Sequence, residues 1–171
     1  TVSGSWWKGQ KNEVGVPHAM MRDGAPNGYS IITFDGAKHT LDFKAAGHPA
    51  EYQMTINAPD EIQSANSAKT PVYVNLFNGS EKSVVKLKVK DRGGWVEMKK
   101  VAEADPYYVA MRQRELEANP KASLNEPVKS GHLWKVNLPA DLKVGSHLLM
   151  IEGTDAYGRS HTAQRIIRAV K

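Results

Sequence analysis

Cysteine is absent from all 171 residues, which excludes disulfides, thiolate metal sites and a cysteine nucleophile. It leaves the redox compartment open. Long hydrophobic runs are missing too: no segment approaches the roughly 18 unbroken apolar residues that a membrane-crossing helix needs. A soluble chain with no membrane span is expected. Charge of one sign never gathers in a block: the net +5 comes from dispersed bases, of which Lys86, Lys88 and Lys90 form the tightest run. That alternation is the pattern of a strand's wet face. No basic stripe carries interleaved aromatics and no nucleic-acid module is recognisable, so no nucleic-acid partner is expected.

What the chain does contain is period-two alternation punctuated by turn residues. Tyr29 to Phe34 and Lys38 to Lys44 flank Asp35-Gly36, a pair that favours a tight primed hairpin turn. Glu51 to Ile56 alternates again, and Asn57 to Thr70 reads as a polar linker. Val72 to Phe77 and Val84 to Val89 around Asn78-Gly79 suggest a second hairpin, with Gly93-Gly94-Trp95 marking the next turn. His132 to Leu138, Ser146 to Gly153 and Arg159 to Val170 complete the strands. One helix is expected at about 105–117, with Asp105 as N-cap, Pro106 in the first turn and Asn119-Pro120 as the stop.

This spacing predicts a mainly β fold: an antiparallel immunoglobulin-like β-sandwich over residues 66–171, preceded by an amino-terminal β extension over 1–65. The two parts are expected to form one compact unit, since the length suits a single well-buried domain.

The motifs of chemistry are missing. Six histidines, His18, His39, His48, His132, His147 and His161, fall in different elements with no HExxH, HxH or EF-hand spacing, so no metal site is expected. There is no Gly-x-Ser-x-Gly elbow, Walker sequence or Gly-x-Gly-x-x-Gly loop. Asp23, Asp35 and Asp155 are explained by turns, Asp155 to Arg159 by a hairpin loop, and Trp95 and Trp134 by the core. No catalytic residue is therefore assigned.

One feature stays unexplained by these rules. Trp6 and Trp7 stand together in Gly4-Ser5-Trp6-Trp7-Lys8-Gly9, followed by the turn-rich Asp23-Gly24-Ala25-Pro26-Asn27-Gly28-Tyr29. Paired indoles beside glycines and charges must anchor a core, an interface or a ligand. Trp6, Trp7, Asp23, Asn27 and Tyr29 are thus the interface or ligand candidates.

These two motifs resemble the opening of the carboxy-terminal accessory domain of bacterial calcineurin-like metallophosphoesterases. The tail is similar as well, through His132-Leu133-Trp134, Gly145-Ser146-His147, Thr154-Asp155-Ala156-Tyr157-Gly158-Arg159 and Arg165-Ile166-Ile167-Arg168. The resemblance implies a parent hydrolase whose upstream catalytic domain cleaves phosphate esters with two divalent metal ions. None of the ligand segments of that chemistry (Asp-x-His, Gly-Asp, Gly-Asn-His, Gly-His-x-His) occurs here; Gly47-His48-Pro49-Ala50 and Gly131-His132-Leu133-Trp134 lack the second histidine. So the resemblance implies a non-catalytic domain with no cofactor of its own, partnered by the upstream catalytic domain of the same chain.

Docking through Trp6, Trp7 and the Asp23 to Tyr29 loop is the leading expectation, with shaping of the substrate cleft as a variant. A glycan- or cell-surface-binding module is the alternative, using exposed indole faces as sugar platforms. Thr1-Val2-Ser3 has neither an initiator Met nor a charged n-region, so residues upstream are expected. A periplasmic or secreted location follows from the resemblance alone.

Overall fold

A computed structural model of the chain describes residues 11, 15, 20–90 and 92–171. Trp6, Trp7 and His18 lie outside the described residues. The protein is mainly β and built from antiparallel sheets, as the alternating pattern predicts. It divides into two compact units, one formed by residues up to Tyr52 with Ala102–Gly131, the other by Gln53–Val101 with His132–Lys171.

In the first unit, strands β1 (Gly28–Asp35) and β2 (Lys38–Ala45) form a two-stranded antiparallel sheet, in register from Gly28 opposite Ala45 to Asp35 opposite Lys38. Gly36, at φ +58°, takes the left-handed conformation that this two-residue connection requires. The unit also holds helix α1 (Pro106–Ala118). Its N-cap is Asp105, in extended conformation, whose carboxylate accepts the Tyr108 N–H at 2.9 Å. Asn119 ends it, donating its N–H to the Glu115 carbonyl at 2.9 Å. A small cluster of Met20, Tyr108 and Leu124 packs with Met111, Leu116 and Ala122.

The second unit is a sandwich of two sheets. One sheet has the order β4 (Glu61–Gln63), β11 (Ser160–Val170), β10 (Gly145–Thr154), β6 (Val84–Val89), β7 (Arg92–Glu97). The other has β3 (Met54–Asn57), β5 (Pro71–Leu76), β9 (Leu133–Asn137), β8 (Lys99–Val101). Every pairing is antiparallel except that of β4 with β11, where Glu61 lies opposite Arg168.

The alternation explains the core directly. Val72, Val74 and Leu76 of β5 and Val85, Leu87 and Val89 of β6 are all buried, together with Leu149, Ile151, Ile167 and Trp134. Each fully buried aliphatic side chain contributes about 1.5–3 kcal/mol over its exposed state.

Three local expectations are corrected. Strands β5 and β6 do not pair with each other: β5 joins β3 and β9, while β6 joins β10 and β7. Both strands carry the same inward period of two, and that period is equally satisfied by neighbours in one sheet or by strands facing each other across a core. The Phe77 to Ser83 connection, pinned by Gly79 N–H to Leu76 O at 2.7 Å and Ser83 N–H to Ser80 O at 3.1 Å, carries the chain between sheets. The polar stretch from Asn57 to Thr70 is not a bare linker, for it holds β4 and a short 3-10 helix, Ser64–Lys69. Gly93-Gly94-Trp95 lies within β7 rather than in a turn, and the positive φ of Gly93 (+64°) is absorbed where the β6–β7 register shifts.

Candidate functional site

The Asp23 to Tyr29 segment is a rigid turn feeding directly into β1. Met21 donates its N–H to Ala25 O at 2.8 Å, and Gly24 donates to Met21 O at 2.9 Å, closing the turn around Gly24 at φ +85°. A Cβ at Gly24 would overlap the Asp105 carboxyl, so only glycine lets the turn sit against the N-cap of α1. Asp23 is 1% exposed, and its carboxylate accepts the Ala25 N–H at 3.2 Å. The segment is also tied to the chain after α1, through Val128 N–H to Arg22 O at 3.1 Å and Arg22 Nε to Glu126 O at 2.7 Å.

Of the candidates, Asp23 is therefore a structural acceptor at the centre of the turn. Asn27 is partly buried, and its carbonyl accepts the Ala46 N–H at 2.8 Å where the hairpin starts. Tyr29 is 57% exposed. The structure brings the three together on one short stretch, in which Asp23 and Asn27 brace the loop and Tyr29 faces water.

Tyr29 opens a feature that the sequence reading passed over. On one face of the hairpin, Ser30, Ile32 and Phe34 lie opposite Phe43, Leu41 and His39. The base of this stripe is buried, with Phe43 at 5% and Ala45 at 0% exposure, yet it continues outward to Ile32 at 53% and Phe34 at 74%. On the other face Tyr29 and Ile31, the latter 49% exposed, alternate with Lys44 and Asp42 across the strand pair. An isolated two-stranded hairpin is marginal in water, and exposed apolar runs of this kind mark interaction surfaces. The signal in the sequence was Ile31-Ile32, two adjacent apolar residues that put one on each face of a single strand.

A family model described as C terminal of calcineurin-like phosphoesterase matches residues 1–161. The chain belongs to that family. No curated protein matches it. Among solved structures it is similar to CopC from Methylosinus trichosporium OB3b, with 12% identity over 82% of this chain and 93% of that one. The TM-score of 0.35 is too loose a superposition to define a shared fold.

Phosphoesterase chemistry of the two-metal type needs clustered His and carboxylate ligands. Among the described residues no group of three or more such side chains could hold a metal ion. The histidines go to separate duties instead. His48 stacks on Tyr52 with ring centroids 4.2 Å apart, and His39 meets Phe34 at 6.2 Å. His147 Nε2 lies 2.7 Å from Lys143 O, and buried His132 places Nδ1 2.7 Å from Asn75 Oδ1.

Two phenols have raised pKa values. Burial pushes the Tyr52 hydroxyl up, helped by the neighbouring Tyr107 and Asp105. Burial raises Tyr108 too, against the lowering pull of Arg22 and Arg112, and its hydroxyl donates to Asn125 O at 2.9 Å. Neither phenol ionises near neutral pH.

Asp155 performs the turn role read from the sequence. Its Oδ1 accepts the N–H groups of Tyr157 at 2.9 Å and Arg159 at 3.0 Å, and its Oδ2 takes the Arg159 guanidinium at 2.7 Å. Burial by itself raises this carboxyl, but the backbone and side-chain hydrogen bonds from Arg159, the Tyr157 N–H and the Arg159 charge outweigh it, and the group is held below the usual carboxylate range. His161 Nε2 stands 3.7 Å from the same oxygen.

Trp134 is a core residue as expected, 2% exposed. Trp95 is not. It is 42% exposed on edge strand β7, a strand with no buried residue, where it shares the face of Glu97, the cross-strand partner of Lys86.

Proposed function

We propose that this chain is a non-catalytic accessory domain that docks on the catalytic domain of a calcineurin-like phosphoesterase through the Asp23 to Tyr29 turn and the β1–β2 hairpin. The observation that carries this reading is the apolar stripe that is buried at Phe43 and Ala45 and uncovered at Ile32 and Phe34. The match to the C terminal of calcineurin-like phosphoesterases supports a catalytic domain of the same chain as the partner in this reading. The turn, braced by Asp23 and by the Gly24 to Asp105 contact, fixes where the hairpin leaves the unit. Trp6 and Trp7, close in sequence to this turn, join the same docking role.

In this reading the parent enzyme hydrolyses phosphate esters with two divalent metal ions held by its catalytic domain, and the accessory domain holds none. Export to the periplasm or beyond the cell belongs to the same proposal.

The test uses the full-length phosphoesterase. Ile32→Ser/Phe34→Ser should open the junction between domains to limited proteolysis while the accessory domain stays folded by circular dichroism, and Trp6→Ala/Trp7→Ala should do the same. An unchanged cleavage pattern in both variants sinks the docking reading. Comparing turnover with and without the accessory domain then decides whether docking also shapes the substrate cleft.

A further inference from the structure

The outer face of the five-stranded sheet is independent of the hairpin and has a charge pattern of its own. Lys86 sits between Glu97 on β7 and Glu152 on β10, its cross-strand partners, so that end of the face is balanced. Toward the other end the β10 neighbours of the lysines are apolar, although Asp91 follows Lys90 in the chain. Lys88 lies opposite Met150, and Lys90 donates its N–H to Leu148 O at 2.8 Å. Leu148 faces Ile166, which is 66% exposed, and Arg168 follows it with Glu61 as its one acidic cross-strand neighbour. The loop entering β10 adds Lys143 and Val144, the latter 57% exposed. That loop is held beside β7 by Arg92, which donates to Asp141 O at 2.7 Å and Ala140 O at 2.5 Å.

An apolar centre with a cationic rim is therefore presented on a sheet face, next to the outward indole of Trp95. We infer that this end of the sheet is a peripheral docking surface for an anionic phospholipid bilayer.

Three features favour lipid over an acidic protein. Lys88, Lys90 and Lys143 are flexible point charges suited to the diffuse charge of a headgroup layer, whereas a fixed carboxylate is better read by a guanidinium fork. Tryptophan is the side chain that settles at the bilayer–water boundary. The whole unit shares the sign, with fourteen Lys and Arg against eight Asp and Glu in Gln53–Val101 and His132–Lys171. Attraction near an anionic surface amounts to about 1 kcal/mol per Lys or Arg, which is about fivefold in partitioning for each.

The whole 171-residue chain is sedimented with vesicles of phosphatidylcholine alone and of phosphatidylcholine with about one third phosphatidylglycerol, at low and high ionic strength. Expected is binding to the anionic vesicles only, weakened by salt. Lys88→Glu/Lys90→Glu should reduce partitioning roughly 25-fold or more, and Trp95→Ala should reduce it further while thermal unfolding stays unchanged. Lys121→Glu, on the other unit, should bind as the parent does. Equal binding to both vesicle types, or binding indifferent to Lys88→Glu/Lys90→Glu, overturns the inference. So does the absence of binding at low ionic strength.

Discussion

The two units are stabilised by different means. The sandwich unit gathers seventeen buried residues of the described chain into one cluster, whereas the unit with the hairpin and α1 has Met20, Tyr108 and Leu124 with three partly buried neighbours. Its order comes from polar pins instead: the Asp105 cap, the Asp23 turn, and the Arg22 bonds to the chain beyond α1. Charge divides in the same way. The sandwich holds fourteen bases and eight acids, while the other unit holds nine and ten, so the protein's positive balance belongs to the sandwich alone. A unit with a deep apolar core tolerates an open charged face. A unit whose described core is small and whose apolar hairpin is exposed gains stability from any partner that covers that hairpin.

Four substitutions would break or sharpen this contrast. Trp134→Ala removes the largest fully buried side chain of the sandwich and should cost about 3–5 kcal/mol in denaturant unfolding. Gly24→Ala attacks the other unit, because its Cβ meets Asp105 at a positive φ; a loss of about 2–4 kcal/mol is expected. Hydrogen exchange should place that loss around α1 and the Asp23 turn, leaving β10 and β11 protected. Uniform loss of protection would mean that the two units unfold as one.

Asp155→Asn tests a polar pin inside the sandwich and should cost about 1–3 kcal/mol at neutral pH. Because the native carboxyl lies below its unfolded value of about 4, it binds fewer protons in the folded state. Its stabilisation is full above that pH and is lost as pH falls through the native value. The Asn variant should therefore show a flatter acid limb in stability against pH, and an unchanged limb would remove Asp155 from the account. The smallest effect is expected from Ile32→Ser/Phe34→Ser in the chain alone, where thermal stability should shift by less than about 0.5 kcal/mol because both side chains already face water.

Much of this was legible in the residues. Asp105-Pro106 and Asn119 bound α1 because caps act within a single turn of chain, and Asp35-Gly36 placed the hairpin because left-handed backbone is a local demand. The turn role of Asp155 was legible for the same reason, whereas the core expectation made alike for Trp134 and Trp95 held only for Trp134. The partners of β5 and β6, the β4 strand inside a polar stretch, and the outward turn of Trp95 were not. Each depends on which strand lies alongside, and a period of two is identical for every choice of neighbour.

The sequence by itself determined the β class, the position of the helix and the absence of the family's metal-ligand segments, since all three are properties of residue type and short spacing. Only the tertiary structure decided that the apolar side chains of β5 and β6 face a common core while those at Ile32 and Phe34 do not. Whether an alternating strand is covered on its apolar side is settled by what packs against it, and that information is carried by residues far away in the chain.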